Sequence, residues 1–545
     1  MSNFDRRRFL TGAAAGAGAL ALGADPSAAA ARSRYAGFPR AGEVAFSQGV
    51  ASGQPSCRGI TLWTRAAGLD RDSRLELEVA RDPGFRKVVV RRDVLAEERR
   101  DFTVHARLSG GGLRPGEQYF YRFSSRSEDS VVGRFKTSLP PDSREPVRIG
   151  FFSCQAYDAG FYTAHAGLAA EDDLDLVVCL GDYIYEKVFF EGPPQRKDTT
   201  GDNQDGEVET LRAYRAKYAL YHSDANLRRV RQNHALMSIW DDHEVEDNYA
   251  RDKPGEATDD PDLPFRARRA NAYRAFFEHM PRIRSRSQPD RIYGKLRLGG
   301  NAELFLLDER QYRDDQPCND QFGVANCPEA FAPNRTMLGS AQRRWLKGAL
   351  DDSRATWKVV GNQVMFMALD APAGNPINPD QWDGYKAERQ DILDSARRRN
   401  VEDIAFLTGD IHTFFAGQVT PSGRQPGQPQ PGGPVATEFV GGSITSDGLA
   451  DSVAREPLKP QQVKLLAGLS DSSVRANNPH IEYSNQEFKG YGVLEARRGE
   501  LRVSYRAVRS VDKPRSSVFT LQRFRVERGQ PNVEVLGPPL GSFPN

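Results

Sequence analysis

The chain has 545 residues, 39% hydrophobic and 27% charged, which is the composition of a soluble globular protein rather than a disordered or collagen-like one. Its 75 Lys and Arg face 73 Asp and Glu for a net charge of +2, so no basic field points to nucleic acid and no sequence-specific nucleic-acid binding is expected. Five cysteines exclude a disulfide-dense scaffold, and beyond the N-terminus no apolar run reaches the roughly 18 residues of a membrane span.

Residues 1–31 read as a leader. Arg6-Arg7-Arg8 precedes Phe9-Leu10 and a small, apolar run, and an Ala-rich stretch at 28–31 offers the small residues that a signal peptidase needs. The paired arginines before Phe-Leu resemble a twin-arginine signal; an N-terminal anchor helix is the alternative, against which the run is short and Gly-rich. Export would place the protein outside the cell, free or wall-associated, where disulfides persist. Cys318 and Cys327, nine positions apart around a polar loop, are expected to pair. Cys57 has no obvious mate, and Cys179, inside Val177-Val178-Cys179-Leu180, reads as a buried apolar thiol.

Residues 36–140 read as an all-β module. Short alternating runs at 60–63, 75–79, 88–90 and 102–104 are separated by Gly, Pro and Asp. A turn at Leu113-Arg114-Pro115-Gly116 then feeds a strand with Tyr119 near its start, a pattern resembling the tyrosine corner of immunoglobulin and fibronectin sandwiches. The Pro-, Ser- and Asp-rich stretch 137–146 reads as a linker.

From 146 to 510 buried-type strands alternate with helices. Strands are expected at 147–154, 174–181, 235–240, 302–307, 357–364 and 404–408. Helices fit at 209–231, at 265–279, at 341–350 behind a Ser340 N-cap, and at 385–399. Continuous apolar strands alternating with helices predict an α/β domain whose sheet is covered on both faces. Residues 511–545 are left as a C-terminal extension.

Functional groups in such sheets gather just beyond the C-terminal strand ends, and here those ends carry metal-binding side chains. The first runs into Ser153-Cys154-Gln155, the second into Gly181-Asp182-Tyr183-Ile184-Tyr185-Glu186. The third runs into Asp241-Asp242-His243-Glu244, the last into Gly409-Asp410-Ile411-His412, and Asn362 follows another apolar run. A carboxylate after one strand is usually a turn residue. Five such ends converging on one sheet edge favour a metal centre.

These motifs, with Trp382-Asp383-Gly384-Tyr385 and the upstream Ser47-Gln48-Gly49-Val50-Ala51-Ser52-Gly53, resemble the calcineurin-like metallophosphoesterases. More closely they resemble the alkaline phosphatase D (PhoD-like) family, over about residues 40–500. The resemblance implies a four-layer α/β sandwich behind the β module, and a dinuclear centre. Asp182 would bridge two metals; Cys154, Tyr185 and His412 would complete one shell, and Asp242, Asn362 and Asp410 the other. Thiolate, phenolate, imidazole and carboxylate together favour Fe³⁺ at the first position, and oxygen-only ligands favour Ca²⁺, with Mg²⁺ or Mn²⁺ as alternatives, at the second. His243 would face the substrate, stabilising phosphoryl charge or protonating the leaving oxygen; the alternative is that it only orients Asp242. Trp382 to Tyr385 match the family without a physical derivation of their role.

The expected protein is a secreted, monomeric phosphoric ester hydrolase: an alkaline phosphatase for monoesters and, as a further class, diesters. A phospholipase D-type phosphodiesterase acting on choline phospholipids is the alternative on the same scaffold. A non-catalytic module binding phosphate or sugar is the alternative of another class. Specificity would lie in the loops 186–206 and 371–382.

Overall fold

The structure, a computed structural model, describes residues 34–189, 193–255, 263–321, 323–324, 326–371, 375–420, 433–448, 450–451 and 460–537. The leader expected at 1–31 lies outside the described residues.

Seven antiparallel strands build the N-terminal module. Val50–Ser56, Gly59–Arg65 and Thr103–Ser109 form one sheet; Val88–Ala96, Ser73–Ala80, Gln118–Ser124 and Gly133–Lys136 form the other. Alternation decides which side chains enter its core. Leu75, Leu77 and Val79 on one strand, and Tyr119, Tyr121 and Phe123 on its neighbour, are all fully buried. Each such side chain contributes roughly 1.5–3 kcal/mol relative to exposure. The Tyr119 hydroxyl accepts from the Arg114 amide at 2.8 Å and lies 3.3 Å from the Gly112 carbonyl, which pins the turn to the strand that follows it.

The second unit holds two seven-stranded mixed sheets. The first runs Leu236–Ser238, Leu176–Cys179, Val147–Phe152, Lys489–Ala496, Glu500–Val508, Val518–Glu527, Glu534–Leu536. The second runs Gly294–Arg297, Ala302–Leu306, Trp357–Asn362, Ile404–Thr408, Ala436–Val440, Phe414–Val419, Ile481–Asn485. The first sheet carries its parallel set at one edge and the second at its centre, and the strands Leu176–Cys179, Ala302–Leu306 and Ile404–Thr408 are buried at every position. A parallel bridge between Ser153 and Ser443 joins the two sheets at their strand ends.

Three expectations are corrected. The helix expected over 209–231 is two helices, Leu211–Tyr221 and Ala225–Asn233, because the Asp224 carboxylate accepts from the Asn226 and Leu227 amides and starts a new helix. Ser340 is not an N-cap: the helix spans Gly339–Asp351, and it is Thr336 Oγ1 that accepts from the Gly339 amide at 2.8 Å. The boundary at 511 cuts through a sheet, since Val518–Glu527 pairs along nearly its whole length with Glu500–Val508 and then with Glu534–Leu536. Cys318 and Cys327 form a disulfide, while Cys57, Cys154 and Cys179 are free.

Candidate metal centre

The expected donors come from loops that leave the parallel strands of both sheets. Four of them, Cys154, Asp182, Asp410 and His412, hold left-handed backbone with φ of 57°, 52°, 66° and 56°. Each such residue costs about 1–3 kcal/mol and persists only where its surroundings over-determine it. The surroundings here do so. The Cys154 carbonyl accepts from the Ile444, Thr445 and Ser446 amides, and Glu244 accepts from the Asp182, Tyr183 and Asp241 amides at 3.2, 2.6 and 2.7 Å. Glu244 thus ties two strand-end loops together from beneath. Gly181, at φ 118°, lets them meet: a Cβ there would stand 2.4 Å from that of Asp241.

Donor atoms of Cys154, Asp182 and His412 lie within 4.8 Å of one another, as do those of Asp182, Asp242 and His243, and those of Asp241, Asp242 and Asp410. Asp182 and Asp242 are each shared by two of these groups, which makes one continuous cluster. Tyr185 completes the first group, its hydroxyl 3.1 Å from Asp182 Oδ2 and 3.3 Å from His412 Nε2. His412 Nδ1 meets the Asp447 carbonyl at 2.6 Å. A carbonyl only accepts, so Nδ1 carries the proton and Nε2 keeps its lone pair for the centre. Asn362 ends its strand opposite Thr408 and donates through Nδ2 to Thr408 Oγ1 at 3.1 Å and to the Val364 carbonyl. Thr408 in turn donates to buried Glu438 at 2.6 Å. That chain fixes the amide so that Asn362 Oδ1 is the atom left over.

Asn362 Oδ1 and Asp182 Oδ1 are both buried without a hydrogen-bond partner. A buried oxygen without a partner costs about 1–3 kcal/mol, and here two of them accompany a thiol, a phenol and an imidazole. This donor set fits a cation pair: mixed S, O and N donors on one side, oxygen alone on the other.

The electrostatics agree. Burial, then the charge of Asp182, pushes the Cys154 thiol and the Tyr185 hydroxyl well above their ordinary values. Burial raises Asp182, with Asp242, Asp241 and Glu244 adding to the rise, and lifts Asp410 to about 7. His412 is lowered to about 3 by burial and the neighbouring positive charges of Lys489 and His243. Burial also acts to raise Asp242, but Arg310 and His243 overcome it and hold that carboxyl below its usual range.

His243 lies over Tyr185, ring centroids 4.0 Å apart, with Nδ1 2.7 Å from Glu186 Oε2 and Nε2 3.8 Å from Asp247 Oδ1. Desolvation works against its positive charge, but Glu186, Asp247, Asp242 and Asp182 outweigh it and raise the imidazole well above 6.5. The same pairing holds Glu186 near 2, against the pull of burial. Phe189 closes over both histidines, edge-on to His243 and to His412 at 5.6 Å each.

Arg310 is a central group that the strand-end reading passed over. Fully buried, it donates to Asp241, to Asp380 at 2.9 and 3.0 Å and to Asp410 at 3.1 Å, and it lies 3.4 Å from Asp242. Asp308-Glu309-Arg310 follows directly on an expected strand, where an arginine reads as a solvent-facing turn residue. The Trp382–Gly384 turn now has a physical account. Trp382 Nε1 donates to Glu309 at 2.8 Å, Asp383 receives the Leu369 amide and Arg389 at 2.8 Å each, and Tyr385 donates to the Asp314 carbonyl at 2.6 Å. The braced turn presents Asp380 to Arg310 and Gln381 Nε2 to Asp410 Oδ2 at 3.0 Å.

The same architecture occurs in solved proteins. A structure of PhoD, 33% identical in sequence, superposes with a TM-score of 0.77 over 90% of this chain and 92% of that one. Purple acid phosphatase PPD1 of yellow lupin (Lupinus luteus), 12% identical, gives 0.54 over 90% and 75% and shares the fold. The fold is metallophosphoesterase-like. The PhoD-like phosphatase model matches residues 149–505 and the PhoD-like phosphatase N-terminal domain model residues 29–139. Alkaline phosphatase D of Bacillus subtilis (strain 168) is 35% identical over 553 residues, spanning 97% of this chain and 88% of that protein. The chain belongs to the PhoD-like phosphatase family and is a phosphoric ester hydrolase.

Proposed function

We propose that this protein is a secreted alkaline phosphatase that hydrolyses phosphomonoesters, and diesters more slowly, at a dinuclear centre of Fe³⁺ and Ca²⁺. Fe³⁺ is assigned to Cys154, Asp182, Tyr185 and His412, and Ca²⁺, replaceable by Mg²⁺ or Mn²⁺, to Asp182, Asp242, Asn362 and Asp410. The observation that carries this reading is the pair of unpartnered buried oxygens, Asp182 Oδ1 and Asn362 Oδ1, within a cluster of S, O and N donors. When bound, a metal pair supplies Lewis-acid polarisation of phosphoryl oxygens and lowers the pKa of water.

The chain's own residues do the rest. His243 Nδ1 donates to Glu186, which leaves Nε2–H, 3.8 Å from Asp247 Oδ1, as the donor for a phosphoryl or leaving oxygen. Arg310 is a fixed positive charge that balances Asp241, Asp242, Asp380 and Asp410 and holds the oxygen ligands in place. Phe189 keeps water from the histidine edges.

The finer architecture follows the same reading: an immunoglobulin-type sandwich over about 36–140, then a four-layer catalytic domain from 146 that runs through the strands ending at 536. Export by the twin-arginine route rests on the leader at 1–31 and is supported by the Cys318–Cys327 disulfide. Among the described residues no helix is long and apolar enough to cross a membrane.

One preparation assayed on p-nitrophenyl phosphate, its bis ester and phosphatidylcholine tests the reading. The monoester should turn over fastest. Choline release as the fastest reaction would replace this reading with a phospholipase D-type activity, and no turnover on any substrate, with both metals restored, would leave a binding module.

A further inference from the structure

The N-terminal module meets the catalytic unit at a cleft away from the metal centre. The strand Val50–Ser56 lies beside the edge strand Leu236–Ser238, with a parallel bridge from Ser52 to Ala235. The approach is close: a Cβ on Gly53 would stand 2.4 Å from the Pro281 carbonyl and 2.6 Å from that of Leu236. Next to this contact the register slips between Gly53 and Ser56 and Gln54 takes a left-handed φ of 48°. Three bonds hold Gln54 there: its amide to Met237 Sδ, and its Oε1 from Thr61 Oγ1 and the Ile283 amide. Strain of this kind collects at ligand sites.

The slip leaves a cavity of about 460 Å³ between the edges of the two sheets, lined by Arg107, Arg282 and Lys295 and by no acidic side chain. In a chain whose charges nearly cancel, that is an unusual concentration of one sign. Lys295 stands 3.5 Å from Glu303. The two arginines are held by oxygen atoms without full charge. Arg107 Nη1 donates to the Gln54 carbonyl at 2.5 Å and faces Thr61 Oγ1 at 3.4 Å; Arg282 donates to the Ser238 carbonyl at 3.1 Å and to that of Ile292. Each guanidinium has five N–H donors, so several remain for a ligand. Desolvation lowers both, Arg282 to about 10, where the charge of Asp308 opposes the fall only in part. The other side of the cavity is apolar: Met237, Ile283, Ile292, Leu296 and Leu306 line it, and Ile283 is 39% exposed. None of the lining residues belongs to the metal centre.

We propose that this cleft is a second binding site, for a small amphiphilic oxyanion whose phosphate, sulfonate or carboxylate head lies on Arg107 and Arg282 and whose apolar part lies on Met237, Ile283 and Leu296. Planar guanidinium forks match the two oxygens of such a head, and a cavity of this size is that of a small-molecule site. The test is calorimetric titration of the holoenzyme with 1-octanesulfonate, which has no phosphoester bond, while inorganic phosphate saturates the catalytic centre. One molecule should bind per chain. Arg107→Gln, Arg282→Gln and Ile283→Asp should each weaken binding at least tenfold and leave p-nitrophenyl phosphate turnover unchanged. Octyl glucoside and inorganic sulfate, which carry only the chain or only the charge, should each bind at least tenfold more weakly. Arg107 and Ile283 reach solvent, so their variants fold even if Arg282→Gln does not. Absence of saturable binding, equal binding by Arg107→Gln and Ile283→Asp, or equal binding of sulfate alone would overturn the proposal.

Discussion

Tyr185 and His412 stand 227 positions apart in the chain, yet the Tyr185 hydroxyl lies 3.3 Å from His412 Nε2. The same hydroxyl is 3.1 Å from Asp182 Oδ2 and accepts from Ser446 Oγ at 2.7 Å. Three side chains that can bind one cation thus point at a common position, each fixed from behind: His412 by the Asp447 carbonyl, Tyr185 by Ser446, Asp182 by Glu244 at its amide.

Loading this position should release protons. Burial keeps the Cys154 thiol and the Tyr185 hydroxyl protonated through neutral and mildly alkaline pH, while coordination requires both deprotonated. Ferric ion should therefore displace about two protons per chain, and its apparent affinity should rise by up to about a hundredfold per pH unit. Calorimetry in buffers of different ionisation enthalpy measures the number. Uptake without net release would remove one or both groups from the shell.

His243 separates from the ligands around it by what its loss does. His243→Ala should keep both metals and lower turnover by about 10²–10⁴-fold, the usual worth of a positioned acid or charge group. Glu186→Gln should lower turnover in the same direction by a smaller factor, because the imidazole keeps Asp247 nearby. Elemental analysis beside the kinetics is the check, and loss of metal with activity would make His243 a support for Asp242 instead.

Asp380 should matter to the fold more than to chemistry. Its carboxylate accepts from Arg310 at 2.9 and 3.0 Å, from Arg313 at 2.6 Å and from Gln316 at 2.8 Å. Asp380→Ala removes the carboxylate that pairs with buried Arg313 and one of the four around Arg310, and breaking a buried pair in this way costs about 3–5 kcal/mol. Denaturant unfolding should show a loss of that order. A loss below about 1 kcal/mol would mean that Arg310 is held by Asp241 and Asp410 alone.

Acid should destabilise the protein through histidines that are not among the candidate metal donors. Burial lowers His105 and His234 to about 4 and His165 to about 3. The unfolded chain binds protons at these groups from about pH 6.5 downward and the folded chain does not. The stability they contribute is therefore intact above about 6.5 and falls as the pH drops toward 4, by up to about 1.4 kcal/mol per pH unit for each group. Unfolding free energies at pH 7.5 and 5 should differ accordingly; equal values would show that these imidazoles charge freely in the folded state.

The parallel strands were legible because residues such as Val177, Val178, Ile404 and Leu407 are apolar on both faces, a pattern that only a covered strand gives. The donors were legible because each follows such a run directly. What escaped notice was carried by residues without that signal. The strand Val518–Glu527 is only partly buried up to Gln522 and fully buried only at Phe524 and Val526, and it reads as an extension until Glu500–Val508 pairs with it. Asp224 starts a second helix three residues after Tyr221 ends the first, and the short His222-Ser223-Asp224 break is easily read through because apolar residues continue on both sides of it. Arg310 was hidden for another reason: an arginine after a strand suggests solvent, and only the convergence of Asp241, Asp242, Asp380 and Asp410 from distant loops makes burial favourable. Glu186 likewise gains its meaning from His243, 57 positions away.

The proposed dinuclear centre is tested most directly by anomalous diffraction from crystals of the holoenzyme at the iron edge and at a longer wavelength sensitive to calcium. The expected result is an iron peak enclosed by Cys154 Sγ, Asp182, Tyr185 Oη and His412 Nε2, and a second, lighter peak among Asp182, Asp242, Asn362 Oδ1 and Asp410. A single peak, zinc in place of iron, or an iron peak that leaves Cys154 and Tyr185 bonded only to protein would contradict it.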